Sequence, residues 1–204
     1  MKTKKPSFKE EKIFWKKGLN YIAGVDEVGR GAFAGPVVAA VVILSKNFKI
    51  NGIKDSKALN EKKREILSEY IKTNAVDYYI SKVDIKYINK YGIGKATQKA
   101  FLSCIIRIKQ RFDFALIDGY KIKKFDKNLQ KAIIHGDSIC VSIAAASIIA
   151  KVYRDNLMIK LHKKYPQYNF LHNKGYGTRF HRDALKKHGL SKVHRTSFNL
   201  TRYL

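Results

Sequence analysis

Four carboxylates carry the chemistry that this sequence suggests. They are Asp26 and Glu27 in Gly24-Val25-Asp26-Glu27-Val28-Gly29-Arg30-Gly31, Asp118 ending Phe114-Ala115-Leu116-Ile117-Asp118, and Asp137 in His135-Gly136-Asp137-Ser138. Each stands where an apolar run gives way to Gly or to a new element. Acids are otherwise scarce, 16 Asp plus Glu against 42 Lys plus Arg. Acids gathered in a basic chain suit a site that holds divalent cations against a polyanionic substrate, as metal-dependent phosphodiester chemistry requires. Hard cations take oxygen ligands, and no His or Cys set has zinc-like spacing. Taken singly, Asp137 reads equally well as a helix N-cap and Asp118 as a turn former. Cap and ligand roles are compatible, because the positive end of a helix keeps a carboxylate ionised. Asp26 and Glu27 pose a geometric problem, since neighbours on a regular strand point to opposite faces. Three solutions are open: the strand ends by Glu27, a bulge re-aims it, or Glu27 reaches metal partly through its carbonyl.

The elements that must position these acids belong to a chain of 204 residues, 45% hydrophobic, enough to bury one core. A net charge of +26 implies a polyanionic partner, most often nucleic acid. Part of that charge is compositional bias, because Lys far outnumbers Arg and Tyr, Ile and Asn are also abundant. Cys104 and Cys140 lie in apolar runs and read as buried thiols in a reducing compartment. No run approaches the ~18 apolar residues of a membrane span. The charged N-terminus has no apolar region or cleavage site after it. A soluble, cytoplasmic protein with no membrane partner is expected.

Residues 1–19 are basic and read as one helix or a partly ordered arm. Strands are expected at Tyr21 to Val25 and Val37 to Leu44, split by the Gly-rich segment Gly29 to Pro36. Asn60 is a plausible N-cap for a helix from Glu61 to Lys72. A strand at Ala75 to Val83, a helix at Ile93 to Gln110 and a buried strand at Phe112 to Ile117 follow. Lys131 to Ile134 is a short strand candidate. The helix from Val141 to about Lys163 is apolar nearly all round at its start, so its first half should be buried on several sides. Beyond Pro166 the chain is polar and Gly-punctuated, with a helix near Thr178 to His188. The order predicts a mixed α/β domain at 20–165, preceded by the basic segment 1–19 and followed by a helical extension at 166–204.

The motif Gly24 to Gly31, followed by Ala34-Gly35-Pro36, resembles the opening of bacterial ribonuclease HII. Asp55-Ser56-Lys57, Ile117-Asp118-Gly119 and Gly136-Asp137-Ser138 match as well. So do the helix Ser142 to Asp155, Lys174-Gly175-Tyr176-Gly177-Thr178 and His194-Arg195-Thr196-Ser197-Phe198. The resemblance runs in order from about residue 20 to 198. It implies a ribonuclease H-like mixed sheet flanked by helices, and an endonuclease using two Mg²⁺ or Mn²⁺ ions. Such an enzyme cuts the RNA strand of RNA–DNA hybrids and nicks 5′ to single ribonucleotides in duplex DNA, and a monomer is expected. The sister family, ribonuclease HIII, differs where Arg30 stands and carries an added N-terminal domain.

Carried over by position, the metal ligands are Asp26, Glu27, Asp118 and Asp137. The resemblance assigns the backbone of Gly29-Arg30-Gly31 to the ribose 2′-hydroxyl, the atom that separates RNA from DNA. Glycines suit so close an approach, although the motif alone reads as an ordinary turn. Tyr176 takes the position that stacks on the deoxyribose after the ribonucleotide. Lys57 is a candidate phosphate contact, with Arg30, Lys174 and Arg195 behind it. Lys121 to Lys124 and Lys186 to His188 read as general electrostatic attraction, Arg154-Asp155 as an ion pair, and His162, His172, His181 and His188 as surface residues. A related nuclease such as a Holliday-junction resolvase would share the acids but lack the Gly-Arg-Gly and Gly-Tyr-Gly loops. A binding protein without catalysis would lack a carboxylate.

Overall fold

The computed structural model describes residues 5–49, 52–53 and 60–204. After a helix α1 (Lys9–Trp15) come antiparallel strands β1 (Ile22–Val28) and β2 (Val37–Ile43), then helix α2 (Glu61–Asn74) and strand β3 (Asp77–Val83). Helix α3 (Ile85–Arg107), strands β4 (Phe114–Asp118) and β5 (Gln130–Ile133), and the long helix α4 (Val141–Lys164) complete the central layers. The chain ends with a short helix α5 (Phe170–Asn173) and α6 (Arg179–His188). The five strands form one sheet in the order β3-β2-β1-β4-β5. β1 and β2, and β2 and β3, run antiparallel, whereas β4 lies parallel to both β1 and β5.

The alternation of side chains along the strands separates two apolar layers. Val25, Ala39, Val41 and Ile117 face α3, where Ala96, Ala100, Phe101 and Cys104 pack on them. Val38, Ala40 and Val42 face the other way, onto Ala144, Ala145, Ile148 and Ile149 of α4 and Ile71 of α2. The first half of α4 is apolar on every side because it is enclosed on every side, as its composition predicts. It lies so close to β1 that a Cβ on Gly24 would collide with the Ser142 backbone. A smaller cluster of Ala34, Met158, Tyr168, Phe170 and Leu185 joins the C-terminal segment to α4 and the Gly-rich loop.

Element types match the expected order, and several boundaries move. β1 continues through Glu27 to Val28, paired without interruption as Glu27↔Ala39 and Val28↔Val38. No bulge or early end occurs there, so two of the local escapes for Glu27 are absent. α3 starts at Ile85, eight residues before the expected start at Ile93, and is broken at Gly92, whose φ of 80° leaves the helical region. Asn60 caps α2 as expected, accepting from the Lys63 N–H at 2.9 Å.

The N-terminal segment holds the least expected contact. Glu11 on α1 is 1% exposed. Its Oε1 accepts from the N–H and the hydroxyl of Ser142 at 2.9 and 2.7 Å. Cys140, at the N-cap position of α4, offers no side-chain bond, so an acid from a distant helix satisfies a free N–H of that first turn. Burial raises the Glu11 pKa, and the Ser142 bonds oppose that rise. Glu11→Ala should lower unfolding stability by about 1–3 kcal/mol, because it leaves the buried Ser142 groups unpaired. Urea unfolding of the variant beside wild type reads this, and an unchanged midpoint would remove the capping role.

Candidate active site

Asp26, Glu27 and Asp118 meet inside the sheet, at the ends of the parallel strands β1 and β4. Asp26 points toward α4 and is hydrogen-bonded to Ser147; its Oδ1 also accepts from the Glu27 N–H at 2.7 Å. Glu27 points to the other face, where Arg30 lies 3.7 Å from Oε1. Asp118, the last residue of β4, stands beside both and repels both. Its Oδ1 accepts from the Gly136 N–H at 2.7 Å, which ties β4 to the 3₁₀ turn Gly136–Ser138 that carries the buried Asp137. The strand need not break for Asp26 and Glu27 to serve one site. They straddle the sheet, and Asp118 is shared between them.

Burial pushes Asp26 well above the usual carboxylate range, and the charges of Glu27 and Asp118 push it further. Glu27 is raised to about 7, chiefly by burial; Arg30 opposes the rise and Asp118 adds to it. Its Oε2 is buried without a hydrogen-bond partner. Acids that desolvate and repel one another, one with an orphaned oxygen, form a donor set that a cation would stabilise. Among the described residues no three or more His, Cys, Asp or Glu side chains are grouped so that they could by themselves hold a metal ion. Mg²⁺ itself keeps several waters and binds through one or two carboxylates plus substrate phosphates.

Next to the acids, the buried Arg154 joins the Gly-rich loop to the Tyr176 loop, and the buried Arg195 braces the Gly-rich loop. Arg154 donates through Nε to Pro36 O at 3.0 Å, through Nη2 to Ala34 O at 3.1 Å, and through Nη1 to Lys174 O at 2.9 Å. Its guanidinium lies 5.3 Å from the centre of the half-buried Tyr176 ring. Arg195 donates to Gly35 O at 3.0 Å and to Arg30 O at 2.8 Å. Gly29, with φ at 93°, leaves the space that Arg154 fills, and any Cβ there would strike it. The loops also touch directly, Phe33 N–H donating to Gly175 O at 2.8 Å.

This arrangement corrects several expectations. Arg154 does not serve Asp155, which pairs instead with Lys151 at 2.5 Å and Arg64 at 3.8 Å. Arg195 and Lys174 are buried, and Lys174 is bound to Glu61 at 3.1 Å and Leu171 O at 2.7 Å, so neither presents a free charge to phosphate. Arg30 and Gly31 are exposed beside the acids. Lys57 lies outside the described residues.

His181, expected on the surface, is fully buried against His194. The Ser191 N–H donates to His194 Nδ1 at 2.9 Å, so His194 Nε2 carries its proton and donates to His181 Nε2 at 3.0 Å. His181 Nδ1 then donates to Tyr176 O at 2.9 Å. Two neutral imidazoles thus hold the backbone of the Tyr176 loop. No local pattern marks the pair, because His181 and His194 sit on separate elements. Burial, and then the proximity of the second imidazole His181, lowers His194 to about 4, below the ordinary ~6.5. The unfolded chain therefore takes up a proton that the folded one refuses. The stabilising contribution is complete above pH ~6.5 and is lost as pH falls toward 4, by about 3 kcal/mol in full. Urea unfolding at pH 7 and 4.5 should show that loss in wild type and a smaller one in His194→Gln. Equal losses would discard the pair as an acid-labile element.

A five-stranded mixed sheet with helices on both faces and acids at the ends of its central strands defines a ribonuclease H-like nuclease. Residues 23–201 match the family model described as Ribonuclease HII. The ribonuclease HII of Caldanaerobacter subterraneus subsp. tengcongensis is 50% identical over 188 residues, 92% of this chain and 78% of that one. That of Endomicrobium trichonymphae is 47% identical over 193 residues, 94% of this chain and 91% of its own. Among solved structures, the ribonuclease H2 of Pyrococcus horikoshii OT3 superposes with a TM-score of 0.74 at 25% identity, over 89% of this chain and 95% of that one. The chain belongs to the ribonuclease HII family. It is a metal-dependent endonuclease that hydrolyses RNA in RNA–DNA hybrids.

Proposed function

We propose that this enzyme also nicks 5′ to single ribonucleotides embedded in duplex DNA, leaving 3′-hydroxyl and 5′-phosphate ends, as a cytoplasmic monomer. The observation that carries this reading is the junction of three parts: the acid set, the Gly29-Arg30-Gly31 loop and the Tyr176 loop, the two loops bridged by Arg154. Asp26, Glu27, Asp118 and Asp137 would hold two divalent ions, Mg²⁺ or Mn²⁺. When bound, such a pair supplies an activated water and stabilises the leaving oxygen at a scissile phosphate.

The protein's own share is placement. The Arg30 guanidinium balances Glu27 and stays exposed to substrate. Gly29 and Gly31 let backbone approach the ribose 2′-hydroxyl, while Arg195 grips the Arg30 carbonyl and Arg154 fills the space beneath Gly29. Tyr176 presents a ring to the following sugar, where a 2′-hydroxyl would crowd it. Lys57 would add a phosphate contact, and residues 166–204 would act as a substrate-binding extension of the catalytic domain at 20–165, with 1–19 preceding it. The buried free thiols Cys104 and Cys140 suit a reducing compartment, and no helix among the described residues is long and apolar enough to cross a membrane. A Mg²⁺-dependent assay on duplex DNA with one embedded ribonucleotide tests the reading. A single nick 5′ to the ribonucleotide supports it, and cleavage of continuous hybrids alone overturns it.

A further inference from the structure

We infer that the groove between α3 and the loop after β4 is a second nucleic-acid contact, which takes the phosphodiester backbone of the substrate at a distance from the scissile link. The groove encloses about 780 Å³. Lys95 and Lys99, one helical turn apart on α3, line one bank, and Lys123 and Lys124 of the loop line the other. All four are exposed, and among the described residues no Asp or Glu lines the groove. Its floor is apolar, formed in part by Tyr120, Leu102 and Ile122. Arg30 lies at the end nearest the acids, 3.7 Å from Glu27 and 5.1 Å from the centre of the Tyr120 ring. A polyanion leaving the acids past Arg30 therefore enters a channel with cations on both sides.

The two banks are fastened together, which separates this groove from a scatter of solvated lysines. Gln98 on α3 donates to Lys121 O at 3.1 Å and accepts from the Lys123 N–H at 2.8 Å. The buried Gln130 accepts from the Ile122 N–H at 2.7 Å and donates to Ile122 O and Phe125 O at 3.0 and 2.9 Å. Gln98 thus holds the basic loop against α3, and Gln130 ties the same loop to β5. Lysines on a preset wall spend less ordering entropy on each phosphate than lysines on a free loop do. The run Lys121 to Lys124, which by itself reads as general attraction, becomes half of a shaped site.

The inference rests on the reading of the chain as a nuclease acting on ribonucleotide-containing duplexes, and the test keeps the two apart. A variant combining Lys95→Ala, Lys99→Ala, Lys123→Ala and Lys124→Ala is compared with a charge-matched control, Lys12→Ala, Lys16→Ala, Lys62→Ala and Lys63→Ala, whose residues are exposed elsewhere. Fluorescence anisotropy on an all-DNA duplex over a range of salt reads binding without cleavage. The log–log slope should fall by about 0.9 for each lysine that touches phosphate in the groove variant, and not in the control. On single-ribonucleotide duplexes shortened from either end, wild type should show KM rising on shortening one arm. The groove variant should already have the higher KM and be insensitive to that arm, with kcat near wild type. Equal slopes and equal KM changes in the two variants would overturn the groove. A wild type that binds the duplex with the groove-dependent slope but never cuts it would overturn the nuclease reading and leave the groove supported.

Discussion

Asp118→Asn is expected to reduce kcat by about three orders of magnitude while leaving the fold and duplex binding intact, the scale seen when a preorganised electrostatic contact is removed. The substitution isolates charge from shape. An amide oxygen can still accept from the Gly136 N–H that Asp118 Oδ1 meets at 2.7 Å, so the turn carrying Asp137 should keep its place. What disappears is a negative charge shared between Asp26 and Glu27, which each feel Asp118 as a repulsive neighbour. Folding should be unchanged or slightly favoured, since repulsion among buried acids is relieved. Cleavage should collapse, because the remaining acids hold a cation less well and align it less accurately. Single-turnover cleavage at saturating Mg²⁺, beside anisotropy and a thermal melt, separates the two. Near-wild-type turnover would remove Asp118 from the site.

Tyr176→Ala should cost about a hundredfold in kcat/KM on a single embedded ribonucleotide and clearly less on a continuous RNA–DNA hybrid. Misplacing a scissile phosphate by a small distance is enough for a loss of this size. The loop backbone does not depend on the ring: Tyr176 O is held by His181, and the Tyr176 N–H donates to Asn173 O at 2.9 Å. The truncated loop should therefore keep its path over Arg154, and the melting temperature should move little. Tyr176→Phe retains the ring and should recover most of the activity. Small, equal losses on the two substrates would mean that the ring has no part in reading the junction between RNA and DNA.

Much of the candidate site can be proposed from the sequence because its acids sit at the ends of local patterns. Phe114-Ala115-Leu116-Ile117 can only be a buried strand, and an acid closing it is conspicuous. The N-cap at Asn60 and the helix it opens are legible in the same way. The supports were not visible. Arg154 next to Asp155 looks like an ion pair in one dimension, but successive residues on a helix point in different directions. Arg154 turns instead to carbonyls of two loops far away in sequence. His181 looks like a surface residue of a basic helix, and only the fold sets His194 against it. Glu11 looks like one acid in a charged arm until Ser142 arrives. In each case the deciding partner lies outside any local window. The regular course of β1 through Glu27 is not legible locally for a related reason: Asp118, which stands beside both acids, lies far along the chain.

The contact between Glu11 and Ser142 spans 131 residues, and this bears on the order of synthesis. α1 and β1 leave the ribosome first, but the Ser142 groups that Glu11 meets and the strand β4 that pairs with β1 follow only later. Pairing of such long reach is slow to nucleate. Asp26 and Glu27 thus wait, without a charge-bearing partner strand, through most of translation. The nascent chain carries a strongly basic surface before it carries a catalytic site. A ribosome-bound fragment should therefore bind nucleic acid before it can cut it. On the proposed assignment, Asp118 and Asp137 are the last acids of the set to emerge.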